Sequence, residues 1–472
     1  MPKPNGKLDH STDNTDQSAL GKRLWKSGLI VVVGRALGIA FSLGATLLLV
    51  RYLTKEDYGR YNLLVTSITI FSSFGRFGLD RIVLKAISEQ SGYQKHRFAK
   101  LLLIKVSRVL AVTVALSSCL MVAILPLFPA IRECDDSMLL VILAVTSMIV
   151  MSILQMFVEG FRGFHDLLRA TIYDSQRAGV LVATLFIFLI VVVASGSALT
   201  VLFAMLLFLL AQGAVTVIAA FDFWSGERAS GSMVDIEEVS GEKNPQDVGV
   251  PDIRAGILFP LAGAEILAVL TGFGDIWLAA TFLNAEELAT WGVTSQVMQM
   301  VGVPLTMINM TVISTIPMLY HHGRTEELQR ILQKAATVAT GVSLIPLGLL
   351  TLVPGVIVSL VYGAHFNDAA LPLMVVSVGK LILVWTGSCA YTLMLTGHQR
   401  IVLVNNLISF VTLFIMGAVA TLQFGLFGLA CVVTAVTIFS NLFNWIAAKS
   451  HAGVWTHATF RSFKSTSTGK KV

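Results

Sequence analysis

Five cations and two carboxylates stand inside long apolar runs of this sequence, where an ionisable side chain costs about 2.5 to 3.5 kcal/mol and so faces a cavity or a partner. The cations are Arg35, Arg76, Lys105, Arg108 and Lys380; the carboxylates are Glu265 and Asp275. Helix rise places Arg35 about 12 Å, Glu265 about 15 Å and Lys380 about 16 Å from the nearer end of their runs, close to a bilayer midplane. A guanidinium fork suits bidentate recognition of phosphate oxygens. A midplane carboxylate suits reversible binding of a proton or Na⁺, raised in pKa by desolvation and lowered by a neighbouring cation. The bland alternatives are an ion pair joining Arg35 to Glu265, and Arg76, Lys105 and Arg108 reaching back to the interface. Gln155 with Glu159, Gln296, and Asn441 with Asn444 are weaker polar signals, accounted for by hydrogen bonds between helices.

These residues need elements to hold them. The chain has 472 residues, 55% hydrophobic and 13% charged, against about 25% charged in soluble domains. Its apolar runs are long enough to cross a bilayer, which takes about 20 helical residues. Twelve are found: Ser27–Val50, Tyr61–Leu79, Leu101–Phe128, Met138–Val158, Ala178–Ala194, Ala198–Phe221, Ala255–Leu283, Leu288–Ile316, Ala335–Val361, Ala369–Leu395, Ile401–Leu422 and Gly425–Ala448. Of the 34 Lys and Arg, 25 fall in the N-terminal segment, the even-numbered connections and the C-terminal tail, 4 in the odd-numbered connections and 5 within spans. Cytoplasmic loops retain cations, so both termini are expected in the cytoplasm. The polar leader through Gln17 precedes a full-length span without a cleavage pattern, so the first helix is expected to be retained.

The expected fold is all-α: a polytopic membrane protein of about twelve transmembrane helices. Its expected parts are a disordered N-terminus (1–19), an N-lobe of six helices (20–221), a cytoplasmic linker (222–254), a C-lobe of six helices (255–448) and a basic cytoplasmic tail (449–472). A shift of 230 residues lays Leu53-Thr54-Lys55-Glu56-Asp57-Tyr58-Gly59 over Leu283-Asn284-Ala285-Glu286-Glu287-Leu288-Ala289, and Arg35 over Glu265. Repeats of six helices enter the membrane from the same side, so the lobes should be related by a pseudo-twofold along the membrane normal, around a central cavity.

Composition excludes several classes. The basic balance, a net +6, marks cytoplasmic flanks rather than a nucleic-acid partner. Four cysteines without metal spacing argue against a disulfide framework or a metal site. His321, His322 and His398 lack a third ligand. Short outer connections leave no room for an extracytoplasmic catalytic domain, so an enzyme is not expected. No phosphate-binding loop for ATP is present and no cofactor is called for.

The segment Arg51-Tyr52-Leu53-Thr54-Lys55-Glu56-Asp57-Tyr58-Gly59-Arg60-Tyr61 resembles the first outer loop of polysaccharide exporters. The ordered pieces Val361-Tyr362-Gly363, Phe366, Ala369-Ala370-Leu371-Pro372-Leu373, Gly379, Thr386-Gly387 and Leu395-Thr396-Gly397-His398-Gln399-Arg400 are similar to the second half of O-antigen translocase-like flippases, of the multidrug/oligosaccharidyl-lipid/polysaccharide exporter superfamily. Lys380 departs from that pattern, which commonly has Gln there. The resemblance implies alternating-access flipping of a polyprenyl-diphosphate-linked oligosaccharide across the bacterial inner membrane, for O-antigen, capsule or exopolysaccharide synthesis and in company with polymerase machinery. It makes the diphosphate the partner expected for Arg35, Arg76, Arg108 and Lys380, and H⁺ or Na⁺ the partner expected for Glu265. The alternative is an ion-coupled multidrug or metabolite antiporter of the related multidrug extrusion type.

Overall fold

The computed structural model describes residues 34, 37–89, 95–164, 166–174, 180–196, 198–225, 255–312 and 315–459. Among these residues there are helices and no strands. The first is α1 (Leu37–Tyr52). It is followed by α2 (Lys55–Arg76), α3 (Leu79–Glu89), α4 (Lys95–Ile124), α5 (Pro129–Arg132), α6 (Ser137–Gly163), α7 (Leu167–Ile172), α8 (Val180–Ala194) and α9 (Val201–Ser225). The second half comprises α10 (Ala255–Phe282), α11 (Ala285–Val301), α12 (Val303–Val312), α13 (Thr315–His321), α14 (Thr325–Leu352), α15 (Pro354–Val361), α16 (Ala370–Thr386), α17 (Cys389–Leu395) and α18 (Gln399–Ala452). Among the described residues, seven helical stretches have the length and apolar character of membrane spans.

The described part of each of the twelve expected spans falls mainly on helix, with more breaks than hydropathy predicts. The eighth divides at Gly302, the ninth at Val353 before Pro354, and the tenth at Gly387. Proline lacks an N–H and crowds the preceding turn, so Pro354 starts a new helix instead of continuing the old one. The last two spans run as one element, α18, bent at Gly425, where φ is 59°. A glycine accepts that angle at little steric cost.

Helices α2, α4, α6 and α9 pack on one another, as do α10, α14, α16 and α18. The two groups meet where α2 lies against α10 and α11, and here the repeat is visible atom by atom. Thr54 caps α2 by accepting from the Asp57 N–H, and Asn284 caps α11 by accepting from the Glu287 N–H. Both pairs are related by the same 230-residue shift. Acidic residues follow each cap, Glu56 and Asp57 in one copy and Glu286 and Glu287 in the other, where the positive end of the helix dipole favours them.

Repeat mates also touch across the interface. A Cβ on Gly59 would lie 3.0 Å from the Ala285 carbonyl oxygen and 3.1 Å from the nitrogen of Ala289, its own mate. A Cβ on Gly292 would lie 2.9 Å from the side-chain nitrogen of Asn62, again its mate. The pseudo-twofold axis therefore passes between α2 and α11 at these residues, and the absent side chains let the helices close there.

Candidate functional site

At the end of the interface marked by the two caps, the helix groups are sealed. Lys55 Nζ lies 3.4 Å from Glu286 and 3.9 Å from Asp368. Tyr58 packs edge-on against Phe366, with ring centroids 6.2 Å apart. Farther along, the Trp277 indole N–H donates to the Ser67 hydroxyl at 3.0 Å, so α10 is tied to α2 by a polar bond where Trp277 packs at a tilt against Phe71 and Phe128.

At the opposite end the contact is ionic. Helix α2 stops where Phe77 adopts the left-handed conformation (φ 44°) and its N–H bonds back to the Ser73 carbonyl; α3 then starts two residues later. That short break throws Arg81 across to α10, where its Nε lies 3.1 Å and its terminal nitrogen 3.4 Å from the two carboxylate oxygens of Glu265. The pair spans the two repeats and is reachable from solvent, with Arg81 44% and Glu265 23% exposed. Close by, Gly78 lies against α10, where its missing Cβ would be 3.3 Å from the Ala262 nitrogen.

The expected site residues are distributed differently from the sequence reading. Arg35, proposed as the partner of Glu265, lies outside the described residues; the partner seen is Arg81. Arg76 is sealed at 2% exposure, its Nε bound to Asp80 at 3.2 Å and one of its two terminal nitrogens to Ser72. Buried and bonded to Asp80 and Ser72 of its own helix group, it is not presented to a ligand. Arg108 does not join it: α4 buries Leu103, Val106, Leu110 and Val114, while Arg108 is exposed between Ile104 and Val112, which are exposed too. Helical periodicity puts Arg108 on the outward face, the placement expected of a snorkelling cation. Lys380, on α16, is within electrostatic reach of the buried Asp275 of α10, whose carboxylate accepts the Trp291 indole N–H at 3.1 Å. It belongs to an internal pair of the second helix group.

Two features escaped the sequence reading. One is Arg81, counted as a loop cation because hydropathy ends the second span just before it. The other is Arg162, which joins the buried Glu159 of its own helix to Asp174 at 3.3 Å. Between the sealed cap end and Arg81, a cavity of about 100 Å³ opens among α2, α10 and α11. Among the described residues no group of three His, Cys, Asp or Glu could hold a metal ion.

A family described as "Polysaccharide biosynthesis protein" matches residues 24–321. The chain belongs to that family. Its fold is also that of solved transporters. The lipid II flippase MurJ in an inward closed conformation superimposes with a TM-score of 0.65 at 12% identity, over 89% of this chain and 87% of that one. A MOP superfamily transporter from Pyrococcus furiosus gives 0.64 at 13% identity, over 90% and 94%. A MATE transporter from Vibrio cholerae gives 0.60 at 15% identity, over 92% and 98%. No curated protein sequence matches the chain. This polysaccharide biosynthesis family member is a multi-pass membrane protein with the fold of flippases and transporters.

Proposed function

We propose that the protein flips a polyprenyl-diphosphate-linked oligosaccharide across the bacterial inner membrane by alternating access, with residues 20–221 and 255–448 as the two lobes, 222–254 as a cytoplasmic linker and both termini in the cytoplasm. The observation that carries this reading is the Arg81–Glu265 pair, a solvent-reachable guanidinium held by a carboxylate across the lobe interface. The cation sorting of the loops puts this pair at the cytoplasmic mouth. A diphosphate arriving there offers Arg81 more oxygens and more charge than Glu265 does. Exchange of one anion for the other breaks the link between lobes, so the substrate has a different affinity for the joined and parted arrangements, which is the requirement for it to shift the equilibrium. Glu265, released, becomes the site for H⁺ or Na⁺, and return of the cation to solution lets the latch re-form. The coupling partner proposed here is Arg81, in place of the Arg35 expected from the repeat.

The polar ends of the molecule suit this direction of working. The cap end is held by Lys55, Glu286 and Tyr58 on Phe366, and the mouth by one exchangeable ion pair. Deleting the gene should cause lipid-linked oligosaccharide to accumulate on the cytoplasmic leaflet while polymer is lost. Retention of polymer in the deletion strain, with lost resistance to organic cations, would favour the antiporter instead. A membrane-impermeant thiol reagent applied from the periplasm should label Cys134, between α5 and α6; labelling only from the cytoplasm would invert the topology.

A further inference from the structure

The cavity between α2, α10 and α11 is built from repeat mates. Its α2 wall carries Asn62, Val65, Thr66 and Thr69, and its α11 wall Gly292, Ser295, Gln296 and Gln299; each α11 residue is the α2 residue plus 230. The cavity therefore sits on the pseudo-twofold axis, directly beneath the close approach at Gly59 and Gly292. Phe273 and Ile276 of α10 complete it. No Lys, Arg, Asp or Glu is in its lining.

Three of its six polar side chains are unspent, and Thr69 donates to the Val65 carbonyl of its own helix at 3.0 Å. The Asn62 amide donates to the Tyr58 carbonyl, which leaves its side-chain oxygen free to accept, and Gln296 donates to the Thr46 hydroxyl at a long 3.4 Å. Thr66 and Ser295 are buried, at 7% and 8% exposure, and along with Gln299 they have no side-chain hydrogen bond to any described residue. Hydroxyls and amides that face a cavity of about 100 Å³ without protein partners are costly unless a ligand or water bonds them.

The chemistry of the lining selects its ligand. A lipid chain would leave these groups without bonds. An anion would find no cation and a cation no carboxylate. A neutral polyhydroxyl compound matches, because amides offer donors and an acceptor side by side and hydroxyls serve as either. Thr69 is seven residues above Arg76 on α2, about 10 Å at the helical rise, so the cavity lies deeper in the protein than the Arg81 mouth, where a head group extending inward from a diphosphate would place its sugars. We propose that this cavity is a sugar subsite, in which Asn62, Thr66, Thr69, Ser295, Gln296 and Gln299 hydrogen-bond a neutral sugar of the translocated head group and select against acidic sugars. This assignment rests on the flippase reading and extends it to the type of sugar.

The test measures binding to the purified full-length protein in nanodiscs for three synthetic probes: polyprenyl diphosphate alone, the same lipid bearing a neutral trisaccharide of N-acetylglucosamine and galactose, and the same trisaccharide ending in glucuronic acid. The neutral probe should bind about tenfold more tightly than the bare diphosphate, and the double variant Thr66→Val with Gln299→Leu should abolish that gain while leaving affinity for the bare lipid unchanged. Thr66→Ser, which keeps the hydroxyl, should retain most of the gain. The glucuronic acid probe should gain less than the neutral one. If the bare diphosphate binds and the neutral sugar adds nothing, or its gain survives in the double variant, the subsite is refuted and the flippase reading stands. A gain for the acidic probe equal to that of the neutral one refutes the selectivity. If the wild type binds none of the three, both readings fall. A double variant that loses its thermal transition is replaced by Thr66→Val alone, judged by the same two affinities.

Discussion

Removing the charge of Arg81 or of Glu265 should part the lobes at the mouth by an amount the geometry sets. The pair makes two charge-assisted bonds, at 3.1 and 3.4 Å. Because the side chains are 44% and 23% exposed, solvent screening reduces its worth to about 1 kcal/mol. That corresponds to about a fivefold change in the ratio of closed to open mouths. Glu265→Gln should therefore raise mouth opening about fivefold. Arg81→Gln should do more, since Arg81 is also within electrostatic reach of Glu159 and Asp80, whose charges it leaves less compensated. The double variant isolates the pair: the coupling in a double-mutant cycle should be about 1 kcal/mol, with the second substitution adding little once the first is made. The assay is the labelling rate of Thr69→Cys by an impermeant maleimide in inverted vesicles, in a protein with Cys119, Cys134, Cys389 and Cys431 replaced. Strict additivity of the two substitutions would refute the latch, whatever their separate sizes.

Three further outcomes follow from other contacts. Gly59→Ala places a methyl 3.0 Å from a backbone oxygen that cannot rotate away, so it should destabilise the joined cap end by about 1 to 3 kcal/mol, read as a lower melting temperature and faster periplasmic labelling of Asn62→Cys; unchanged values would mean the helices are not in contact there. Arg162→Ala leaves Glu159, 2% exposed, without its cation and should cost about 3 kcal/mol, much of it recovered by adding Glu159→Gln, as thermal unfolding would show; equal melting points for the single and double variants would contradict the pairing. Burial holds His457 below the ordinary histidine range, and its neutral ring accepts the Trp445 indole N–H at 3.1 Å. Docking of residues 453–459 should therefore be complete above about pH 6.5 and weaken as pH falls through the lowered folded value, seen as faster hydrogen exchange in that segment at pH 5.5, a change that His457→Phe should remove and whose persistence in that variant would exonerate His457.

The repeat was legible because its signals are local. Thr54 with Asp57 and Asn284 with Glu287 cap their helices by residue type alone, and the shift that aligns the caps also aligns the residues that touch across the axis. What could not be read depends on facing and on breaks. Hydropathy ends a span at a charge, but Phe77 takes a left-handed angle that lets α3 restart at once, and this carries Arg81 to Glu265. Asp80 lies four residues beyond Arg76 across the same break, so an apparent cavity cation is consumed locally. Whether Arg108 faces a neighbour or lipid depends on which side of α4 meets α2. The segment expected to be tail is also partly structural. The break at Gly387 frees the carbonyls of Trp385 and Thr386, which are taken up by the Ala458 N–H at 2.8 Å and the Thr456 hydroxyl at 2.6 Å, leaving Val454 and Thr456 fully buried. No composition rule marks a return of the chain onto carbonyls released far upstream.

The central claim is translocation of a lipid-linked sugar, and its most direct test is flipping itself. Purified protein reconstituted in liposomes, with polyprenyl-diphosphate-linked oligosaccharide on the inner leaflet only, should expose that sugar to an external lectin at a rate dependent on protein, and Arg81→Gln with Glu265→Gln should slow it. Lectin binding no faster than in protein-free liposomes, from a sample that still exchanges an organic cation for H⁺ or Na⁺, would contradict the account.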